Sequence, residues 1–509
     1  MKKKFLCAVC TAATVISASV AVMGFAACDN GESTALLEEN IIDDAYDNYY
    51  EIFVSSYYDS DGDGVGDLNG VAEKMDYIRD MGYTGIWLMP INSCSSYHGY
   101  DVTDYKSINP SLGTLEDYKN LLEVAHSKDV KVIMDLVVNH TSSEHPWFKS
   151  ALAYKKGQGG ESKYADYYNW SNRQQAGYTQ SGNIWYESQF SSSMPDLNIN
   201  GTAVRNEIES IIKYWIELGT DGFRLDGCCY YSQSQSESVE FCKWIKETAV
   251  KYNERAYIVG EAWSGGATIS EFYKSGCDSF FNFPGAGSGE IAQAVKSNSA
   301  SDFWMSMVNL KSNSNNYIPA PFLSNHDNGV GRIASVMSKD EVKTKFAYGV
   351  LSMLSGNTFT YYGDEIGMIG AHNDPDLRIG MLWDNAKTNI TLPPIGTQHN
   401  VYAFDGVEEQ LKNPNSILNY YKKCNNARNA FPSLMRGKAR LISTDDSEVL
   451  AFTKTYGDEV ITVVINFGEE SKTVPDMEGG IAQQICTSGK ITKDGTTLKM
   501  PAYSISILK

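Results

Sequence analysis

After its N-terminal 25 residues the chain has no apolar run long enough to cross a bilayer. It also lacks a cysteine framework. Seven cysteines follow Cys28, namely Cys94, Cys228, Cys229, Cys242, Cys277, Cys424 and Cys486. The number is odd and the spacings are irregular, which excludes a disulfide scaffold or a zinc module and leaves buried thiols. Cations are scarce. With 43 Lys and Arg against 62 Asp and Glu, the net charge is -19, which excludes a polyanionic partner such as nucleic acid. A neutral substrate has no such requirement. Low-complexity tracts and internal repeats are also missing. Aromatic side chains are plentiful, 32 Tyr and 9 Trp, but both packing and ring stacking use them, so the count decides nothing by itself.

The first residues have their own pattern. Met1 to Lys4 is basic, residues 5–25 are apolar and small, and Ala26-Ala27-Cys28 is followed by polar Asp29-Asn30-Gly31. This reads as a secretory signal, and small residues before a Cys resemble a bacterial lipobox. The expectation is a lipoprotein signal peptide over 1–27, an acylated Cys28, and a polar tether over 28–45. The protein would then be an extracellular, cell-surface lipoprotein that touches the membrane only through that lipid.

From Tyr49 onward, β-rich runs alternate with helical stretches. The runs lie at 49–54, 84–89, 130–135, 220–225, 256–260, 279–282, 320–324 and 358–362, with helical patterns such as 71–81 and 115–127 between them. Strand-helix alternation predicts a parallel sheet, and eight units predict a closed (β/α)8 TIM barrel over 46–415. The interval 141–200, rich in Tyr, Ser, Gly and Gln, is too long for a simple loop and predicts a small inserted domain after strand 3. From 416 to 509 short strands follow one another without helices, predicting a C-terminal antiparallel β-sandwich.

Barrel enzymes carry reactive groups at the C-terminal ends of their strands. Those ends hold Asp135 to His140, then Arg224 and Asp226, then Glu261, then His326 and Asp327. Arg224 and Asp226 are two apart on a strand and share a face, so a permanent cation favours the ionised carboxylate. Glu261 follows the apolar pair Ile258-Val259. A partly desolvated Glu has a raised pKa and can donate a proton near neutrality. Two carboxyl groups on neighbouring strands suit glycosidic cleavage with one as nucleophile and the other as acid.

These residues also match a family. Asp135-Leu-Val-Val-Asn139-His140, Gly222-Phe-Arg224-Leu-Asp226, Gly260-Glu261-Ala-Trp and Phe322-Leu-Ser-Asn325-His326-Asp327 resemble the four signature regions of glycoside hydrolase family 13, the α-amylase family. Met194-Pro195-Asp196-Leu197-Asn198 resembles its fifth region, and Tyr361-Tyr362-Gly363-Asp364-Glu365-Ile366-Gly367 the stretch after its eighth strand. The resemblance implies that Asp226 is the nucleophile, Glu261 the general acid/base and Asp327 the transition-state stabiliser. It further implies that His140, Arg224 and His326 line the subsite of the cleaved glucose, with Tyr100 as its stacking platform. The implied partner is an α-glucan, and the expected working unit is a monomer.

The segment Asp59-Ser-Asp61-Gly-Asp63-Gly-Val65-Gly-Asp67 spaces carboxylates two apart, a calcium-loop rhythm. Position twelve would be Gly70, so this is no EF-hand. Similar loops in the family bind calcium, which implies Ca2+ at Asp59, Asp61, Asp63, Val65 and Asp67. Asn139 marks another calcium position in many relatives. The run Gly227-Cys228-Cys229-Tyr230 departs from the usual pattern, and together with Met194 to Asn198 it resembles the family's intermediate group, between oligo-1,6-glucosidases and neopullulanases. The leading expectation is a retaining, endo-acting α-1,4-glucan hydrolase. Neopullulanase, cyclomaltodextrinase or α-1,6-glucosidase activity stays open, as do transglycosylation and a non-catalytic cell-surface glucan-binding protein. Keeping all three of Asp226, Glu261 and Asp327 argues against the last.

Overall fold

The computed structural model describes residues 45–370 and 373–509. The expected signal peptide and all but the last residue of the expected tether lie outside the described residues. None of the described helices is long and apolar enough to cross a membrane.

The chain forms a (β/α)8 barrel followed by antiparallel β-sheets. The barrel strands are Asn48–Ile52, Gly85–Leu88, Lys131–Leu136, Gly222–Leu225, Tyr257–Gly260, Ser279–Phe280 and Thr358–Tyr361, in one parallel seven-stranded sheet. The seventh of the eight positions is taken by the 320–322 segment. It is tied in by single parallel bridges, Phe281 to Ala320 and Phe322 to Phe359, which close the ring. All eight β-rich runs of the sequence fall at ring positions.

Alternation along the strands sorts the side chains. Tyr49, Trp87, Ile133, Tyr257, Val259, Phe281, Phe322 and Phe359 fill the barrel interior. Their neighbours Tyr50, Ile86, Val132, Phe223, Ile258 and Phe280 point outward into the larger core under the helices. Two residues further along the inward rows come Glu51, Asp135 and Glu261. The same period that packs hydrocarbon at the bottom therefore delivers carboxyl groups to the top rim.

Two loops grow out of that rim. One is the antiparallel hairpin Asn92–Cys94 with Val102–Ile108. The other is the insert after the third strand. It holds the helix Pro146–Lys155, which opens with His145 Nδ1 accepting from Trp147 N, and a three-stranded antiparallel sheet of Trp170–Ser171, Tyr178–Ser181 and Ile184–Glu187. A bridge between His140 and Asp196 closes the insert back onto the barrel.

The helix Ile417–Ala430 packs on the barrel and not on the C-terminal sheets alone. Tyr421 stacks on Tyr348 of the helix Glu341–Ser352 at 3.6 Å. Arg428, fully buried, donates to the carbonyls of Ser352, Leu354 and Gly356 and to Asn48 Oδ1. Barrel packing therefore runs past the expected boundary at 415, and the first C-terminal strand begins at Lys438. The expectation of a helix-free region from 416 fails because the long strand-only stretch dominates the sequence pattern there.

The C-terminal part has a five-stranded sheet of Lys438–Ile442, Val449–Tyr456, Glu459–Asn466, Ser504–Leu508 and Ile481–Cys486, in that order, and a three-stranded sheet of Lys472–Val474, Thr497–Met500 and Thr492–Asp494. One face of the larger sheet, with Leu450, Phe452, Ile461, Val463 and Ile465, joins the main core. The other, with Val449, Ala451 and Val464, packs against Val474, Leu498 and Met500 of the smaller sheet. The Arg428 bonds lead to a stability prediction. Arg428→Ala orphans three buried carbonyls at about 1–3 kcal/mol each, so a loss of ~3 kcal/mol or more is expected in denaturant titration, with the product pattern preserved. A loss under ~0.5 kcal/mol would show that the guanidinium does not hold the helix to the barrel.

Candidate active site

Arg224 sits two residues before Asp226, on the inward row of the fourth strand, and is 1% exposed. Its Nη1 donates to Asp135 Oδ1 at 2.5 Å and to Asp226 Oδ1 at 2.7 Å, and its Nη2 lies 2.9 Å from Glu261 Oε1. One guanidinium thus gathers carboxyl groups from the ends of the third, fourth and fifth strands. Trp87 Nε1 donates to the other oxygen of Asp135 at 3.0 Å, and the Trp87 ring lies 5.1 Å from the guanidinium carbon.

Glu261 is held on both oxygens, because Gly227 N donates to Oε2 at 2.8 Å. Gly227 has φ +54°, and a Cβ there would sit 2.9 Å from Cζ of Phe190, which projects from the insert. Burial pushes the Glu261 carboxyl up to about 8. Arg224 and the Gly227 amide pull it down, while the charges of Asp226 and Asp327 raise it. Burial also raises Asp327 to about 6, against Arg378 and Arg224, and Asp135 to about 7, against Arg224.

His326 and Asp327 follow the 320–322 segment. The His326 Nε2 lies 2.7 Å from the Tyr100 hydroxyl, and the two rings stack at 5.5 Å and 19°. Its Nδ1 lies 2.6 Å from Glu51 Oε1. His140 Nε2 lies 3.0 Å from the Tyr100 carbonyl, and burial keeps both histidines below the usual imidazole range. Arg378 Nη2 stands 3.7 Å from Asp327 and from Asp374.

All seven residues expected for catalysis and glucose binding, Asp226, Glu261, Asp327, Tyr100, His140, Arg224 and His326, line one pocket of about 360 Å³. Phe190, Tyr230 and Trp263, each more than two-fifths exposed, stand in the same pocket wall. Phe190 lies 4.5 Å from Tyr230, and Trp263 stacks on Phe283 at 4.9 Å. Neither Phe190 nor Glu51 is among the residues expected from sequence; Arg378 opens the segment Arg378-Ile-Gly-Met381-Leu-Trp383, which resembles one in oligosaccharide-acting relatives, but that resemblance gives it no role in the site. Glu51 has a signal that could have found it, because it is two residues from the inward Tyr49. Phe190 carries no local signal, since only the fold of the insert brings it to Gly227.

The acidic loop follows the first strand. Carboxylate oxygens of Asp59, Asp61 and Asp67 lie within 4.8 Å of one another. Such an all-oxygen set fits a hard cation. Asp63 is not part of this trio, and its Oδ1 accepts from Val65 N at 2.7 Å. Asp67 also caps the helix Leu68–Glu73 by accepting from Gly70 N at 2.7 Å. Asn139, buried beneath the insert, donates to Asp196 Oδ1 at 3.3 Å.

Carboxyl groups clustered around one buried arginine, in a sugar-sized pocket on the C-terminal rim of a TIM barrel, define a barrel glycosidase. The catalytic-domain model of alpha amylase matches residues 51–437, so the chain belongs to the α-amylase family, glycoside hydrolase family 13. It is 38% identical over 446 residues to Alpha-amylase 3 of Dictyoglomus thermophilum, covering 84% of this chain and 85% of that protein. It is 28% identical over 516 residues to the oligo-1,6-glucosidase of Parageobacillus thermoglucosidasius, covering 83% and 90%. The solved structure of Eubacterium rectale Amy13B superposes with a TM-score of 0.88 at 38% identity, covering 93% of this chain and 97% of that one.

Proposed function

We propose that the chain is a retaining, endo-acting hydrolase of α-1,4 links in starch, glycogen or maltooligosaccharides. The observation that carries this reading is the Arg224 fork, which holds Asp226 and Glu261 on one guanidinium at the wall of one pocket. Sharing one guanidinium supports the separation of roughly 5–5.5 Å that retaining enzymes use.

Asp226 Oδ attacks the anomeric carbon while Glu261 gives its proton to the departing glycosidic oxygen. The C–O bond breaks and a glycosyl ester forms on Asp226. Water then loses its proton to Glu261, its oxygen bonds to the same carbon, and Asp226 leaves. Two inversions retain the configuration. Burial lets Glu261 carry the required proton at neutral pH. Asp327 binds sugar hydroxyls and stabilises positive charge at the ring. Tyr100 supplies a flat face, and Arg224, His140 and His326 surround the glucose.

The α-1,4 preference is supported by the higher identity to a protein named an alpha-amylase than to one named an oligo-1,6-glucosidase. The exposed rings of Phe190, Tyr230 and Trp263 offer stacking faces for further glucose units, which supports endo action. A second reading, with activity on α-1,6 links, pullulan or cyclodextrins, draws on Gly227 and the 194–198 motif. Products from starch, pullulan, maltotriose and isomaltose separate the two. Mixed maltooligosaccharides from starch are expected, and glucose from isomaltose alone would overturn the α-1,4 assignment.

Asp226→Asn and Glu261→Gln are expected to lower kcat by several orders of magnitude with the fold retained, and near-normal turnover in either would contradict its catalytic role. Glu261 is lifted by burial, so it keeps its proton below about 8 and loses it above. The alkaline limb of kcat/KM is therefore expected at about 8, and a limb in the ordinary carboxylate range would remove Glu261 as the acid.

Asp59, Asp61 and Asp67 would hold a structural Ca2+, which neutralises their mutual repulsion and pins the loop to the first strand. Chelation is expected to lower the melting temperature, with recovery on adding calcium. An unchanged melt would count against the ion. An acyl chain on Cys28 would hold the enzyme at the cell surface. In a bacterial host, Cys28→Ala is expected to release protein into the medium, and unaltered membrane partitioning would exclude the anchor.

A further inference from the structure

Glu51 is 1% exposed on the inward row of the first strand, and the proposed chemistry leaves it without a role. Its Oε1 lies 2.6 Å from His326 Nδ1. The other imidazole nitrogen, Nε2, lies 2.7 Å from the Tyr100 hydroxyl, which in turn lies 3.4 Å from Asp135 Oδ2. The four groups form a chain across the rim of the barrel, from the end of the first strand to the end of the third. The far end is a carboxylate that Arg224 and Trp87 already hold.

The direction of the protons in this chain decides what His326 can do. An imidazolium is disfavoured first by burial and then by Arg378, Arg224 and His98, which face the ring, although Asp327 Oδ2 lies 3.5 Å from Nε2. The ring is therefore neutral and carries one proton. If that proton sat on Nδ1, Nε2 would be an acceptor and could not donate to a sugar oxygen. If Nδ1 accepts, a proton must come from Glu51.

We propose that Glu51 is a positioning residue: held as a neutral carboxylic acid, it donates to His326 Nδ1 and so keeps Nε2–H a donor aimed into the glucose subsite. Three donors then run in series, Glu51 to His326, His326 to Tyr100, and Tyr100 to Asp135. On substrate binding His326 transfers its Nε2–H bond from the Tyr100 oxygen to a sugar hydroxyl. The identity of that acceptor rests on the glycosidase reading, but the tautomer does not.

The surroundings fit a neutral acid. No Arg or Lys forms an ion pair with Glu51 among the described residues, since the Nη groups of Arg224 are bonded to Asp135, Asp226 and Glu261 and Arg332 Nη1 pairs with Asp364. The charges that face it are Arg224 and Arg332, which favour ionisation, and Asp135 and Asp327, which oppose it. Burial outweighs them and lifts the Glu51 carboxyl well above the usual range. The proton is thus present at neutral pH and is lost only as pH rises. Its loss would move the ring proton to Nδ1 and remove the Nε2 donor.

The test uses full-length enzyme with 15N-labelled histidine. Nitrogen shifts of His326 are expected to report the Nε2–H tautomer in wild type and in Glu51→Gln, whose amide N–H can donate to Nδ1 in the same way. An Nδ1–H tautomer in wild type would overturn the assignment, whatever the enzyme cleaves. In parallel, KM for maltooligosaccharides is measured across pH. Wild-type KM should rise on the alkaline side, while Glu51→Gln should stay within about threefold of wild type at pH 7 and lose that rise. Glu51→Leu leaves Nδ1 without a donor, and KM should increase roughly tenfold with a smaller change in kcat. Should Glu51→Leu fail to fold, the Gln variant decides alone, and an alkaline KM curve matching wild type would exclude the proposal. Wild type that turns over no α-glucan would refute the glycosidase reading and leave the tautomer measurement to judge Glu51.

Discussion

The structure depends on the bonding of Arg224. A guanidinium without solvent is costly, and it persists only where its donors meet acceptors with good geometry. In this barrel it meets carboxyl groups from the ends of three consecutive strands. Replacing one partner of such a buried cluster costs about 3–5 kcal/mol, because the remaining charges stay buried and unpaired. The same bonds fix where the nucleophile and the acid stand relative to each other. Stability of the rim and alignment of the chemistry are therefore one arrangement, and neither can change without the other.

Around that cluster the protein sets different proton affinities with few tools. Burial raises Glu261, Asp327 and Asp135, and nearby cations restrain each to a different degree. Arg378 acts on Asp327, while the Gly227 amide acts on Glu261. The insert has a part in this too. Phe190 covers Gly227, whose left-handed backbone turns its N–H toward the acid. The aromatic rim that would bind more of a glucan chain is thus in contact with the loop that steadies the proton donor.

Much of the architecture was legible from side-chain period. All eight β-rich runs proved to be ring positions, because each is a short β-branched or aromatic-rich segment that alternates with helix-forming segments. The inward row of the fourth strand could be read from Arg224 and Asp226 alone. Illegible were the short C-terminal strands at 472–474, 492–494 and 497–500, whose pairing comes from neighbours distant in the chain. The helix Ile417–Ala430 was also illegible as part of the barrel, since its attachment runs through Arg428 and carbonyls some 70 residues earlier.

The sequence by itself determined the barrel, the order of its strands, the carboxyl groups at their ends and the family to which they belong. These follow from local periodicity and from motifs of a few consecutive residues, which need no knowledge of distant contacts. Only the tertiary structure decided that one arginine binds three carboxyl groups, that carboxylate oxygens of Asp59, Asp61 and Asp67 come together, and that Phe190 and Glu51 reach the site. Each of those contacts joins residues far apart in the chain or depends on a turn's exact path, and such pairings exist only once closure of the ring has brought the strand ends and their loops together.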